Sequence, residues 1–141
     1  MKHTVTLTIT SLLSILFATF HLTDDIVRGM SPGRLSNLPV VLVLAVWLYA
    51  TLMLAERQSG SVVILVMSLL ASGLPVIHMM GAGGVTGGMK YGGAFFFAWT
   101  LLALGVTAIC SVILSARGLM AFARERPRPG PELRKNEKSL E

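Results

Sequence analysis

The sequence predicts an all-α integral membrane protein, a bundle of four transmembrane helices. Four apolar stretches, each long enough to cross a bilayer, occupy residues 4–22, 38–55, 61–80 and 93–117. The chain is 53% hydrophobic and only 13% charged, whereas about a quarter of the residues of a soluble domain are charged. Acidic and basic residues are absent from the interior of all four stretches. Because backbone polar groups in lipid must be hydrogen-bonded within the protein, these stretches are expected to be helical.

The first apolar stretch is predicted to be a retained helix and not a cleaved signal peptide. It follows Met-Lys-His, as a signal peptide would, but it is long for the apolar region of a signal. Ala18-Thr19-Phe20 stands near its end in place of a small-x-small cleavage site. Threonines alternate with aliphatic residues at its start, and in lipid their hydroxyls can bond to helical carbonyls. A helix is therefore favoured over a strand.

The connectors set the order of the remaining helices. Ser36 or Asn37 can cap the second helix, and Pro39 lies in its first turn. Residues 56–60 leave room only for a tight turn, so the second and third helices are predicted to be antiparallel neighbours. Pro75 predicts a kink in the second half of the third helix.

The second half of the chain is predicted to contain a glycine-rich loop, the last helix and a charged tail. Residues 81–93 hold seven of the fourteen glycines and favour a flexible loop. The aromatic cluster Phe95–Trp99 suits the membrane interface, and Cys110, the only cysteine, is expected to be buried. We therefore divide the chain into a transmembrane domain, residues 1–120, and a disordered cytoplasmic tail, residues 121–141.

Positive charge predicts the orientation of the chain. Four crossings place both termini on the same side of the membrane. If that side is cytoplasmic, nine Lys and Arg residues lie inside and three lie outside. Because basic residues are retained in the cytoplasm, both termini are predicted to be cytoplasmic.

Two histidines are predicted to lie at the same depth. His21 and His78 each follow the apolar start of their helix, at Val5 and Val62, by sixteen residues. At about 1.5 Å per residue, both lie roughly 24 Å along their helices. Since the first and third helices run in the same direction, both imidazoles are expected at the outer membrane boundary.

Carboxylates accompany one of these histidines and predict a metal site. Asp24 and Asp25 follow His21 by three and four residues, so they share its face if the helix continues for one more turn. Imidazoles and carboxylates are ligands of zinc, iron and manganese. The predicted metal ligands are therefore His21, Asp24, Asp25 and His78, although the carboxylates could instead orient the imidazoles.

Other interpretations of these residues remain open. Polar residues collect at membrane boundaries, so the pattern could simply end a helix and enter water. Two histidines at one depth could clamp a haem iron, or they could transfer protons. Four methionines near the same boundary could bind copper, although methionine more often serves flexible packing: Met30, Met79, Met80 and Met89.

These patterns predict two main functions. The first is a non-enzymatic helix-packing or accessory subunit, because small-residue faces are present and charges within the spans are absent. The alternative is a metal- or haem-binding protein, which could be catalytic, and a third is a solute path through an oligomer. The sequence leaves open whether the protein is an enzyme, since no Ser-His-Asp set, HExxH helix or CxxC pair is present.

The expected partners follow from the same composition. They are the lipid bilayer, anionic lipid headgroups at the tail, and either further copies of the chain or other membrane proteins. Nucleic acid is not expected, because no basic face is interleaved with aromatic residues. The expected location is a cell membrane, crossed several times, and specifically a bacterial inner membrane.

Overall fold

A computed structural model describes residues 2–27, 37–80 and 94–125 of the chain. It contains four helices, which confirms the all-helical prediction. They are α1 (Lys2–Val27), α2 (Leu38–Met53), α3 (Gln58–Met80) and α4 (Ala94–Glu125). The predicted connector after α1, the glycine-rich loop at 81–93 and the end of the tail from residue 126 lie outside the described residues.

Two helices end later than predicted. Helix α1 continues to Val27 instead of ending at residue 22, so Asp24 and Asp25 are helical. Helix α4 continues beyond residue 117 to Glu125, as an extension toward Pro127 that the sequence permits. It therefore crosses the predicted boundary between the transmembrane domain and the tail. Helix α3 is a single helix through Pro75, and the predicted kink stays a prediction.

Three of the four helices are long and apolar enough to cross a membrane by length and composition. The candidate spans are His3–Val27 in α1, Gln58–His78 in α3 and Phe95–Arg124 in α4. Helix α2 is apolar but has only 16 residues, about 24 Å of helix. That length is shorter than the roughly 30 Å hydrocarbon core of a typical bilayer.

The contacts between helices define an up-down-up-down arrangement. At one end, Gly118 of α4 lies close to His3 of α1 and Ser61 of α3. At the other end, Phe97 of α4 packs against both His21 and His78. Helices α1 and α3 are therefore parallel, and α4 is antiparallel to both. We refer to these two ends as the His3 end and the His21 end.

A buried seam with alternating spacings of three and four residues runs along α1, α3 and α4. This spacing keeps one face of a helix turned toward its neighbours. Small residues in the seam allow close approach, and a Cβ atom added at Gly105 would lie 3.1 Å from Cγ of Pro75. Buried seam residues include Leu7, Ser11, Ser14, Ser61, Ile64, Ser68, Ala71, Phe97, Leu101, Leu104, Ala108, Ser111 and Ser115. Cys110 lies off this seam and is exposed, so its predicted burial was wrong.

Helix α2 is held to α1 by a ring of hydrogen bonds. The indole Nε1 of Trp47 donates to Oγ of Ser11 over 2.9 Å. Thr51 Oγ1 donates to the carbonyl oxygen of Trp47 over 2.9 Å. Because that bond uses the only hydroxyl proton of Thr51, Ser11 must donate in the 2.7 Å contact between the two hydroxyls. All three side chains are buried, so α2 gains a specific register on α1.

Candidate metal centre

The His21 end of the bundle brings three potential metal ligands together. The imidazole rings of His21 and His78 have centroids 4.8 Å apart and meet edge to face at 78°. Nε2 of His21 and Nε2 of His78 each lie 3.7 Å from the same carboxylate oxygen, Oδ2 of Asp25. One ligand atom from each of the three residues lies within 4.8 Å of the others. We call these three residues the His/Asp/His cluster.

Helical phase places these side chains in the core. His21 follows the buried Ser14 by seven residues, and His78 follows the buried Ala71 by seven residues. Both imidazoles therefore continue the seam of their helices toward the His21 end. Asp25 follows His21 by four residues and shares its face because α1 extends through Val27.

Asp24, the fourth predicted ligand, is not part of the cluster. Asp24 is displaced from Asp25 by about 100° around the helix axis. Of these two carboxylates, the one grouped with the imidazoles of His21 and His78 is that of Asp25. Met30 and Met89 lie outside the described residues, as do the side chains of Met79 and Met80. The prediction of soft copper ligands therefore stays a prediction.

Three polar atoms of the cluster are buried and lack hydrogen-bond partners among the described residues. His21 is 3% exposed, and neither of its ring nitrogens has a partner among the described residues. Oδ1 of Asp25 is buried and also lacks a partner there. Leaving such groups unsatisfied costs about 1–3 kcal/mol each. A ligand bound by one of these atoms would remove that atom's share of the cost.

His78 has the hydrogen bond that orients a metal-binding imidazole. Its Nδ1 lies 2.9 Å from the carbonyl oxygen of Leu74. Because a carbonyl oxygen can only accept, Nδ1 carries the proton and Nε2 presents its lone pair toward Asp25 in the neutral ring. A lone pair and a carboxylate oxygen repel each other. A cation between them would attract both. In metal sites, a hydrogen bond from the other ring nitrogen to a backbone carbonyl, like that from His78 to Leu74, commonly fixes the orientation of the ligating histidine.

The distances suit a single ion better than a haem. Ligand atoms that are each about 2 Å from one ion lie roughly 3–4 Å apart, and two of the observed separations are 3.7 Å. A bis-histidine haem needs the macrocycle between its two imidazoles. Here the rings touch, and Phe97 packs against both with centroids at 5.1 and 5.9 Å. The cluster therefore leaves no slot for a haem in this arrangement.

Phe97 is a site residue that the sequence did not indicate. The cluster Phe95–Trp99 was expected at the membrane interface, and Phe95, Phe96 and Trp99 are indeed exposed. Phe97, in contrast, is 2% exposed and covers one side of both imidazoles. The available signal was the spacing of Phe97, Leu101, Leu104 and Ala108, which marks one buried face of α4.

Two neutral imidazoles and one carboxylate have a recognisable chemistry. Zinc, iron(II) and manganese(II) accept this mixture of nitrogen and oxygen ligands. Three protein ligands leave at least one coordination position open, which is the arrangement that catalytic metal sites use to bind water or substrate. The fold and the cluster thus define a bundle of apolar helices with a His/Asp/His cluster at one end. No protein family model matches the chain, and no curated protein or solved structure matches it either.

Proposed function

We propose that this chain is a multi-pass membrane protein that binds one divalent transition metal ion through His21, Asp25 and His78. The observation that carries the proposal is the convergence of two imidazoles on one carboxylate oxygen, each at 3.7 Å. Closing the cluster around an ion requires side-chain movements on the order of 1 Å, given ligand distances of about 2 Å. The unpartnered nitrogens of His21 support a ligand at this position.

Cations also suit the position of Asp25 on its helix. Asp25 lies in the last turn of α1, where the partial negative charge of the helix end disfavours a carboxylate. Burial in an apolar bundle adds a desolvation cost for an unpaired charge. A bound metal ion offsets both costs.

We propose that the bundle lies in a cell membrane with both termini in the cytoplasm, and specifically in a bacterial inner membrane. The support is the distribution of twelve Lys and Arg residues along the sequence. In this orientation the cluster lies at the outer boundary. The part of α4 at the His3 end, with Arg117 and Arg124, lies at the cytoplasmic surface, where anionic lipid headgroups attract basic residues.

Metal content separates this function from that of a non-enzymatic packing or accessory subunit, which needs no ion. The protein is purified in a neutral detergent, loaded with Zn²⁺, dialysed and analysed for metal. We expect about one ion per chain, and a tetrahedral Co²⁺ visible spectrum after exchange. The variants His21→Ala and His78→Ala are expected to lose both signals, since each removes one of three ligands.

The matched control is His3→Ala, because His3 lies on the same helix but is exposed at the other end. We expect this variant to bind metal as the unchanged chain does. Equal metal content in His21→Ala, His78→Ala and His3→Ala would show that the retained ion lies elsewhere. A chain that retains no ion after loading would favour the accessory-subunit function.

A further inference from the structure

An apolar cavity adjoins the His/Asp/His cluster. It lies between α1, α2 and α3 and has a volume of about 290 Å³. His21, Asp25 and His78 border it, and its other walls are apolar side chains that include Ala18, Leu74 and Trp47. That volume lies near the lower limit of ligand pockets, about 300 Å³. The cavity therefore combines a metal-binding end with apolar walls.

The cavity opens toward the surface that would face lipid. Three of its lining residues are exposed on α2 and α3: Val40, Val43 and Leu70, of which Leu70 is 64% exposed. Helix α2 packs against α1 and α3 and makes no contact with α4 within the described part of the chain. A molecule dissolved in the bilayer can therefore enter sideways between α2 and α3 without crossing the tightly packed seam.

Charge identifies the head group that the loaded site would favour. A divalent ion with its three ligands, two neutral imidazoles and the Asp25 carboxylate, carries a net charge of plus one, and Asp24, which also acts electrostatically on His21, is not among the ligands. A residual charge is unfavourable where the surroundings are apolar. A monoanionic oxygen ligand at the open coordination position neutralises it. In addition, metal binding to one nitrogen of His21 leaves the other as a buried N–H donor without a partner among the described residues.

We propose that the cavity binds a single-chain carboxylic acid, a fatty acid, with its carboxylate on the metal and its chain directed between α2 and α3. The cavity holds roughly ten groups of the size of a water molecule, so it accepts part of one chain and not the two chains of a phospholipid. This proposal rests on the metal site proposed above. It names the substrate class that this site would take.

Trp47 provides a direct readout of the cavity. It lines the cavity and is 2% exposed, whereas Trp99 is exposed on α4. The chain has two tryptophans, so Trp99→Phe leaves Trp47 as the only indole. The Zn²⁺-loaded variant is placed in phosphatidylcholine nanodiscs and titrated with dodecanoic acid that carries bromine on its chain. We expect saturable quenching of Trp47 and, in the Co²⁺ form, a shifted visible spectrum.

Two matched variants test the position of the chain. Ala18 borders the cavity, so Ala18→Leu fills part of it and is expected to weaken acid binding by about tenfold or more. Ala45 is exposed on α2 and is not among the lining residues, so Ala45→Leu is expected to bind the acid unchanged. Both variants should retain one Zn²⁺ per chain, because neither residue belongs to the cluster.

The outcomes distinguish a failure of this proposal from a failure of the metal site. Retained Zn²⁺ without saturable quenching would overturn fatty-acid binding and leave the metal site intact. Equal affinity for brominated dodecanol would overturn recognition of the carboxylate, and equal affinity in Ala18→Leu would overturn the assigned cavity. Absence of Zn²⁺ from the unchanged protein, measured before any acid is added, would overturn the metal site and this proposal with it.

Discussion

Helix α1 carries a histidine near each of its ends, and the two have very different surroundings. His3 and His21 are eighteen residues apart, which is five full turns, so they lie on the same face about 27 Å from each other. His3 is exposed and borders Gly118, which adds no side chain. His21 is buried against His78, Phe97 and Asp25. Two histidines on the same face of one helix thus differ in exposure and in the side chains that surround them.

The neighbouring helices produce this difference. At the His3 end, α3 and α4 present Ser61 and Gly118 to α1, and neither supplies a strong metal ligand. At the His21 end, α3 presents His78 and α1 itself supplies Asp25. A metal site therefore depends on which residues α1 and α3 bring to one level, and the following experiments test that dependence.

The largest effect is expected from substitution of Asp25, and the neighbouring Asp24 provides its control. Asp25→Asn removes the only anionic ligand of the cluster and is expected to weaken Zn²⁺ binding by at least about 100-fold, since loss of outer partners alone costs 10–100-fold. Asp24→Asn keeps all three ligand atoms and should change affinity by less than about threefold. Competition with a chelator measures both affinities. Equal losses in the two variants would contradict the assignment of Asp25.

Removal of a metal ion from the His21 end should lower the stability of the fold. An ion that binds only the folded chain stabilises it by about 2.7 kcal/mol at a free concentration 100 times Kd. Zn²⁺ is therefore expected to raise the melting temperature of the unchanged chain and of His3→Ala in detergent. The melting temperature of His21→Ala should not respond. A Zn²⁺ response in His21→Ala would place the stabilising ion outside the cluster.

A change at the start of α3, where it packs against the turn at the opposite end, should destabilise the fold without affecting the metal. A Cβ atom at Gly60 would overlap the carbonyl of Leu54, so Gly60→Ala must distort the turn between α2 and α3. We expect a loss on the order of 2 kcal/mol, seen as a lower melting temperature. Gly118→Ala is the control, because its nearest contact would be an ordinary 3.4 Å. Zn²⁺ affinity that fell with Gly60→Ala would show that the two ends are coupled.

The smallest effect concerns the hydrogen bonds between α1 and α2. A double-mutant cycle of Ser11→Ala and Trp47→Phe removes the 2.9 Å bond between their side chains. Such bonds between membrane helices contribute about 0.6 kcal/mol on average, and we expect a coupling energy of that size from reversible unfolding. A coupling near zero would mean that apolar contacts alone hold α2 in place.

Much of the fold was predictable because a strongly apolar composition leaves few possible structures. The four apolar stretches predict four helices, and the short link at 56–60 predicts the antiparallel pairing of α2 and α3. The equal depth of His21 and His78 follows from counting residues along parallel helices. The structure adds that their rings are in contact at 4.8 Å. Counting residues along a helix predicts the depth of a side chain in the membrane but not the direction in which it points around the helix axis.

The remaining features depend on rotation and on neighbours. Asp24 and Asp25 were equivalent in sequence until the rotation of α1 was known, and it is Asp25 that lies 3.7 Å from His78. The burial of Phe97 among exposed aromatic residues depends on how α4 faces α1 and α3. The ring formed by Ser11, Trp47 and Thr51 joins residues about forty positions apart, and no local pattern indicates it.

The wide separation of the ligands along the chain has a consequence for biogenesis. His21 and Asp25 are synthesised early, and His78 follows His21 only after 57 further residues. Because α3 must be inserted and turned toward α1 before His78 reaches Asp25, a nascent chain that has placed only its first two helices holds an incomplete set of donors. In the proposed metal site, all three ligands can therefore bind the ion only after α3 is in place, and metal content would distinguish such chains from ones that have placed fewer helices.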